Sequence, residues 1–246
     1  MTRGLIRVPL LCLALAWGCA TVEGERDPRD PWEGFNRGVY RFNETFDEYV
    51  AQPVARAYVA VLHQEIRIRV SNFFSNIQDL MIGVNNLLQG KLQEGVEDWA
   101  RFAFNTTLGL GGIHDVASDM GIEKHNEDFG QTFGRWGAGT GPYLILPFLG
   151  SSTLRDAGGT AVDLYFAPLA EVRPIALRNS LYGLYFLNTR AELLEASRIL
   201  EQAALDRYTF QRDAYLQRRR SLIYDGSAPR EREPEEVNDT PARSVK

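Results

Sequence analysis

The side chains that could carry acid–base, metal or nucleophilic chemistry are few in this sequence. Its three histidines, His63, His114 and His125, lack the spacing that places two metal ligands on one helical face. Residues 150–153 lack the closing glycine of a nucleophile elbow. The glycines in the middle of the chain match neither a phosphate-binding loop nor a dinucleotide-binding fingerprint. The sequence therefore predicts no metal site and no cofactor.

His114-Asp115, followed by Ser118, is a grouping that could be read as a hydrolase fragment. Side chains this close together on one short helix cannot easily converge on a substrate. Of the two cysteines, Cys12 lies in the predicted signal peptide and Cys19 is predicted to be lipidated as the first residue of the mature chain, so no free thiol is expected for catalysis. We therefore expect no catalytic residue and no enzyme activity.

The N-terminus predicts a lipoprotein signal peptide. Arg3 and Arg7 precede an apolar stretch that is too short to cross a bilayer but has the length of a secretory core region. A glycine directly before Cys19 suits a lipoprotein signal peptidase, so residues 1–18 are predicted to be removed and Cys19 to be lipidated. The alternative is an ordinary secretory signal with an incidental cysteine. Ala20, in place of an aspartate that would favour inner-membrane retention, favours the outer membrane.

The net charge excludes one class of partner. A formal charge of −5 leaves no basic surplus to neutralise phosphates, so no nucleic acid is expected to bind. The hydrophobic share of 44% is that of an ordinary globular chain, which can build a packed core.

The start of the mature domain predicts a helix with an aromatic face. Residues 30–33, Asp-Pro-Trp-Glu, predict a helix start with Asp30 as the N-cap. Pro53 is predicted to end or bend this helix. The aromatic face of this helix either packs in the core or, because it follows a membrane tether, lies at the membrane interface. Its members are Phe35, Val39, Phe42, Phe46 and Tyr49.

Two further helices are predicted to form a hairpin around residues 89–91, and a long helix is predicted near the C-terminus. No comparable alternating strand pattern is present, so the predicted fold class is all-α. One stripe of the second hairpin helix is Leu92, Val96, Trp99, Ala103 and Thr106. One face of the long helix is Leu193, Ser197, Leu200, Ala204, Tyr208, Gln211 and Tyr215. Asparagines expected either to cap helices or to line a wet cavity are Asn72, Asn76, Asn85, Asn86 and Asn105.

The middle of the chain differs from the rest. Residues 109–159 hold 12 of the 22 glycines. Within this stretch the apolar run 143–150, bracketed by proline and glycine, predicts either a buried or interfacial hairpin or short helices lining a cavity. Residues 19–29 read as a tether, 30–224 as the helical domain, and 225–246 as a disordered tail because they are charged and poor in apolar residues.

These motifs resemble the MlaA/VacJ family of outer-membrane lipoproteins. The resemblance begins with Asp-Pro-Trp-Glu-Gly-Phe-Asn-Arg at residues 30–37 and the Phe42-Asn43 pair. It covers the chain in order to about Tyr215. Its further blocks are residues 86–91, 101–112, 128–134, 139–147, 153–156 and 190–194.

The resemblance implies that amphipathic helices form a ring- or disc-like single domain with a central channel. Such a domain would lie in the outer membrane on its periplasmic face, held by its lipid anchor, beside a trimeric outer-membrane porin. Phospholipid mislocalised to the outer leaflet would pass through the channel to a soluble periplasmic lipid carrier, which maintains lipid asymmetry. Two alternatives stay open: a porin-associated scaffolding lipoprotein, and a phospholipase or acyltransferase.

The resemblance also implies site residues. Phe42 and Asn43 correspond to a family position that affects channel opening. Arg178 falls near a basic channel residue of the family. Residues 133–150, called the gate segment here, correspond to a glycine-rich loop that borders and gates the channel. The members singled out in it are Phe133, Gly137, Gly139, Gly141, Pro142 and Pro147.

Overall fold

The structure, a computed structural model, describes residues 27–203 and 206–229. The predicted signal peptide, residues 1–18, and the predicted lipidation site Cys19 lie outside the described residues. So do most of the predicted tether and residues 230–246 of the predicted tail.

Helices dominate the described residues, and the predicted all-α class is confirmed. A π-helical turn, Asp47–Ala51, joins the first two helices, and a 3-10 turn, Pro168–Glu171, precedes the eighth. In chain order the helices are α1 (Glu33–Phe46), α2 (Gln52–Val61), α3 (Gln64–Leu88), α4 (Leu92–Thr107), α5 (Val116–Asp119), α6 (Phe129–Arg135), α7 (Leu154–Phe166), α8 (Ile175–Glu192), α9 (Leu194–Ala203) and α10 (Arg207–Ile223).

One antiparallel β-hairpin interrupts the described helices between α6 and α7. Strand β1 (Tyr143–Leu146) pairs with β2 (Gly150–Thr153), with Tyr143 opposite Thr153. The hairpin alternative for the apolar run is therefore confirmed. The sequence shows no polar alternation here because β1 is apolar on both faces. Burial does alternate, since Tyr143 and Ile145 are buried and the residues after them are half-buried.

Helix α1 begins later than the sequence predicts. Asp30 is not its N-cap, because the buried Asp30 carboxylate accepts hydrogen bonds from Asn36 Nδ2 (2.8 Å) and from the Tyr208 hydroxyl. The chain makes another turn instead, and α1 starts at Glu33 with no side-chain cap. The residues that predict a helix start instead bury the Asp30 carboxylate, with Asn36 and Tyr208 as its hydrogen-bond donors.

Pro53 does not stop the helical path of the chain. It lies in the first turn of α2, directly after the π-helical turn, where a missing backbone N–H is best tolerated. Asp47 at the start of that turn is held by Arg190, with Nε–Oδ1 at 2.5 Å and Nη2–Oδ2 at 2.7 Å. The predicted end or bend at Pro53 thus takes the form of a change in helix type.

The predicted α3–α4 hairpin is confirmed. Gly90 follows α3 with φ of +82°, a left-handed conformation that glycine adopts without a Cβ clash and that ends many helices. Lys91 then leads directly into α4, so the two helices run antiparallel side by side.

The prediction of one long C-terminal helix is wrong. The chain forms α9 and α10 instead, because the Asp206 carboxylate accepts from the backbone N–H of Tyr208 (3.0 Å) and Thr209 (3.3 Å) and so starts a new helix. After α10, Gly226 N donates to Ser221 O (2.9 Å), and Asp225 pairs with Lys91. The predicted tail begins within this anchored turn.

The apolar core of the described residues is divided into small clusters. One joins α2 to α8 around Tyr58 and Ala191, and another joins β1 to α10 around Ile145 and Tyr208. None of the helices described here is both long and apolar enough to serve as a membrane span.

Candidate functional site

The described residues bury polar side chains and expose apolar ones, the reverse of a water-soluble domain. Buried polar and charged residues outnumber the buried apolar ones, and Asp79, Asn86 and Asp98 are fully buried. Large apolar side chains are exposed from Phe35 in α1 to Phe210 in α10. Exposing apolar surface to water costs about 25 cal/mol per Å², and contiguous patches of it mark interaction sites. The distribution indicates a surface that contacts an apolar phase.

Helix α4 shows this inversion most clearly. Its buried residues are Gly95, Asp98, Arg101 and Asn105. The stripe predicted from the sequence lies on the opposite face, where the exposed fractions are 68% for Leu92, 60% for Val96 and 43% for Trp99. The helix is amphipathic as predicted, but its apolar face points away from the protein.

Two exposed tryptophans have their polar atoms turned inward. Trp99 Nε1 donates to Leu80 O (3.1 Å), and Trp136 Nε1 donates to Leu88 O (2.9 Å). The Leu88 carbonyl belongs to the last turn of α3, where carbonyls have no partner within the helix. Because the indole N–H groups are satisfied inside the protein, the rings present only carbon to the surroundings.

A polar network fills the interior of the α3–α4 hairpin. Arg101 donates to both oxygens of Asp115 (2.8 Å each) and lies 3.6 Å from Asp79, which also pairs with Lys124. Burial raises the pKa of Asp79, against the opposing charges of Lys124 and Arg101. Burial also acts on Asp115, but hydrogen bonds, with that from Ser118 the largest, lower its pKa to about 2. These ionic contacts fasten the segment between α4 and α6 onto the hairpin.

The asparagines singled out in the sequence find partners within the protein. Asn86 Nδ2 donates to the Asp98 carboxylate (2.7 Å). Asn105 Oδ1 accepts from Ala117 N (2.9 Å) in the first turn of α5, so this asparagine of α4 satisfies a backbone N–H at the start of another helix. The others, which are also hydrogen-bonded, are Asn72, Asn76 and Asn85.

The His114, Asp115 and Ser118 side chains do not converge as a hydrolase would require. Asp115 is the N-cap of α5 and accepts from Ser118 N (3.2 Å) and Ser118 Oγ (2.6 Å). The His114 ring instead contacts Arg69 Nη1, 2.7 Å from Nε2. In the part of the chain that the structure describes, no group of three or more His, Cys, Asp or Glu could hold a metal ion.

Two asparagines of α1 hold the edge of β1 along the hairpin. Asn36 Nδ2 donates to Tyr143 O (3.0 Å), and its Oδ1 accepts from Ile145 N (2.9 Å). Asn43, two helical turns further on, donates from Nδ2 to Leu146 O (3.0 Å) and accepts from Phe148 N (2.9 Å). The amide side chains thus take the place of a third strand, which satisfies the strand edge.

The hairpin tip, residues 147–149, packs against the aromatic face of α1. The Phe148 ring meets Phe42 edge-on at 5.2 Å between centroids and Phe46 at 5.0 Å. Phe148 has φ of +64°, a conformation that is strained for a bulky residue. The predicted site residues Phe42, Asn43 and Pro147 are therefore brought together, around a strained phenylalanine.

The glycine-rich part of the gate segment connects α6 to β1. Gly137 and Gly141 have φ of +93° and +68°, which a residue with a Cβ would adopt only with strain. Pro142 O accepts from Leu154 N (3.0 Å), and Phe133 lies within α6. Gly139 has open space where a Cβ would stand, so its type is not required by local contacts.

Arg178 lies apart from this arrangement. It is half-buried near the start of α8, and no hydrogen bond or ion pair joins it to the hairpin within the described ranges.

Two residues of this arrangement, Asn36 and Phe148, were not singled out from the sequence. A signal for Asn36 was present, because the pair Phe35-Asn36 recurs seven residues later as Phe42-Asn43, which places both asparagines on one face of α1.

The described helices bury many polar side chains and expose large apolar ones, which is the pattern of a domain that contacts an apolar phase. The family model of the MlaA lipoprotein matches residues 28–222. The chain belongs to the MlaA lipoprotein family.

Relatives with known names lie within this family. The intermembrane phospholipid transport system lipoprotein MlaA of Escherichia coli (strain K12) is 37% identical over 237 residues, covering 93% of each chain. The protein of the same name from Haemophilus influenzae is 30% identical, covering 92% of each. A solved structure described as the structural basis for maintenance of bacterial outer membrane lipid asymmetry matches with a TM-score of 0.70 and 35% identity. The match covers 80% of this chain and 100% of the chain in the solved structure.

Proposed function

We propose that this protein is an outer-membrane lipoprotein that removes mislocalised phospholipid from the outer leaflet. The observation that carries the proposal is the inversion of polarity, in a chain whose named relatives belong to an intermembrane phospholipid transport system. A phospholipid has apolar tails, so its transport needs a protein surface that is compatible with acyl chains. The apolar face of α4, with Val96 and Trp99 exposed, supplies such a surface, while the polar side chains Asp98 and Arg101 hold the helix from inside.

Lipid transfer breaks no covalent bond, so it requires neither a nucleophile nor a cofactor. We propose on this ground that the protein is not an enzyme. A lipid-hydrolysis assay on the purified protein tests the point: release of fatty acid would contradict it. The names of the relatives favour transport over the alternative of a porin-associated scaffold.

The proposal includes a location and partners. Cys19 would carry the lipid anchor and hold the domain at the periplasmic face of the outer membrane, with exposed side chains such as Phe35 and Trp99 among the acyl chains. A trimeric porin would stand beside the domain, and a soluble periplasmic carrier would receive the lipid. Arg178 would contact headgroups within a central channel.

The hairpin tip and α1 form the proposed gate of that channel. Asn36 is fully buried, and its Nδ2 also donates to Asp30, so the base of β1 is firmly held. Asn43 and Phe148 are more exposed, and Phe148 is strained, so the contacts at the tip are the easier ones to break. Opening would swing the tip away from Phe42 while Asn36 keeps the register of the strand.

A lipid analysis of cells tests the function directly. In cells that lack the protein, phospholipid should accumulate in the outer leaflet of the outer membrane. The wild-type chain should clear it, and Cys19→Ala should not, because an unanchored domain loses its fixed position at the membrane. Surface labelling of phospholipid in intact cells measures the difference. If deletion leaves the phospholipid content of the outer leaflet unchanged, the result would contradict lipid transport and favour the porin-associated scaffold.

A charge placed on the apolar stripe of α4 should weaken membrane binding. Val96→Asp sets a carboxylate among acyl chains, which costs about 2.5–3.5 kcal/mol. We expect at least a tenfold loss of vesicle binding, measured by flotation of Cys19→Ala protein so that the anchor does not mask the change. Gln93→Asp is the matched control, because Gln93 is an exposed polar residue on the same helix but outside the stripe. Equal binding by the two variants would contradict a lipid-facing stripe.

A further inference from the structure

One arginine of the C-terminal helix contacts both flanks of the gate segment. Arg219 of α10 binds Asp128 through two parallel contacts, Nη1–Oδ2 at 2.6 Å and Nη2–Oδ1 at 2.5 Å. Its Nε lies 3.2 Å from Asp156 Oδ1. Asp128 is the N-cap of α6, before the gate segment, and Asp156 lies in the first turn of α7, after it. The two ends of residues 128–156 therefore meet on a single guanidinium group.

The packing around this contact leaves no room for a side chain at Gly130 or at Gly159. A Cβ at Gly130 would stand 2.3 Å from Arg219 Nη2 and 2.7 Å from Asp156 Oδ1. A Cβ at Gly159 would stand 2.3 Å from Gly130 N, so α6 and α7 touch backbone to backbone. The glycine at 130 is needed because the arginine side chain passes directly over α6.

Other groups fix Asp156 in place. The Tyr215 hydroxyl donates to Asp156 Oδ2 (2.8 Å), and Arg155 donates to Asp156 Oδ1 from Nη2 (2.8 Å). Arg155 and Asp156 thus form an ion pair at the start of α7. The Arg219 and Asp156 side chains are 11% and 4% exposed, so water and salt screen their contact little.

Burial opposes the charge on Asp128, but the Arg219 guanidinium lowers the pKa of that carboxyl below its usual value. The ion pair is therefore present throughout the physiological pH range. The Arg219 contact is bidentate, and a lysine could not reproduce its geometry.

We propose that Arg219 is a positioning residue that clamps the base of the gate segment, so that only the glycine-rich loop and the hairpin tip are free to move. This inference rests on the proposed gate but concerns different residues. Helix α10 acts as the fixed frame, and the contacts at Asn43 and Phe148 are the movable ones. Without the clamp, α6 and α7 would separate and the whole segment would loosen.

Hydrogen exchange on the mature, lipidated protein in detergent tests the clamp. Arg219→Gln should accelerate amide exchange across residues 129–155 by about tenfold or more, the factor expected for loss of a charge-assisted hydrogen bond. Exchange in the α3–α4 hairpin should stay unchanged. Asp128→Asn, which keeps a capping side chain on α6 but removes its charge, should give a smaller change confined to α6 and the glycine-rich loop.

Arg218→Gln is the matched control, because Arg218 is the exposed neighbour on the same helix. The control should leave exchange unaltered. Unchanged exchange at 129–155 in Arg219→Gln, or equal acceleration throughout the molecule, would overturn the clamp. Phospholipid transfer measured on the same variant separates the two proposals. Faster local exchange with normal transfer would support the clamp and contradict the gate.

Discussion

Replacing Arg101 with methionine is expected to lower the free energy of unfolding by about 3–5 kcal/mol. The side chain is 1% exposed and binds the carboxylate of Asp115, the Ser118 hydroxyl (3.1 Å) and the carbonyl of Ile122. Methionine fills much of the same space but donates no hydrogen bond, so the Ile122 carbonyl loses its bond from Arg101 and the Asp115 carboxylate keeps only the uncharged donors of Ser118 and Asn105. It also leaves Asp79 with Lys124 as its one remaining cation among the ion pairs described. Denaturant titration in a mild detergent measures the loss.

Arg135→Met provides the control for that experiment. Arg135 is exposed at the end of α6, so the same change of side chain removes a charge without emptying a buried network. Its effect should stay within about 0.5 kcal/mol. Equal effects of the two substitutions would mean that the polar interior contributes little to stability.

Cross-linking the hairpin tip to α1 is expected to stop phospholipid transfer. In the double variant Phe42→Cys and Phe148→Cys, the new thiols replace two rings that touch, and Cys19 is predicted to be blocked by lipid. If opening requires the tip to leave α1, a bond between the two sulfur atoms should reduce transfer by at least tenfold. Reduction or cleavage of the bond should restore it. Transfer of labelled phospholipid between vesicles through the reconstituted protein measures the rate.

Each single-cysteine variant under the same cross-linking conditions is the control, and both should transfer lipid at a rate independent of the reagent. Normal transfer by the fully cross-linked protein would contradict a gating role for the tip. It would leave the family assignment and the apolar surface as they are.

Helix positions could be predicted from the sequence, but the direction of their faces could not. The spacing of Leu92, Val96 and Trp99 defines a stripe on α4, and the structure contains that stripe. Periodicity identifies an apolar face of a helix, but it does not tell whether that face packs against the protein or against an apolar medium outside it. The buried face of α4 carries Asp98 and Arg101, whose partners Asn86 and Asp115 lie outside the helix, so the residues of α4 alone did not mark that face as buried.

A long-range partner also explains why the predicted start of α1 at Asp30 is wrong. Residues 30–33 have the local pattern of a helix start, yet the Asp30 carboxylate accepts a hydrogen bond from the hydroxyl of Tyr208, 178 positions later. At the gate, Phe42 and Asn43 were identified from the family resemblance, whereas Phe148 was not. Its importance lies in a turn conformation and in ring contacts with α1, which become visible only in three dimensions.

The polar interior also bears on how the protein responds to temperature. The heat-capacity change of unfolding rises with the apolar area that unfolding exposes to water and falls with the polar area. Here folding buries many polar groups, while many large apolar side chains are already exposed in the folded protein. The heat-capacity increment per residue should therefore be small, and the curve of stability against temperature shallow. Cooling would therefore weaken such a fold less than one built on an apolar core.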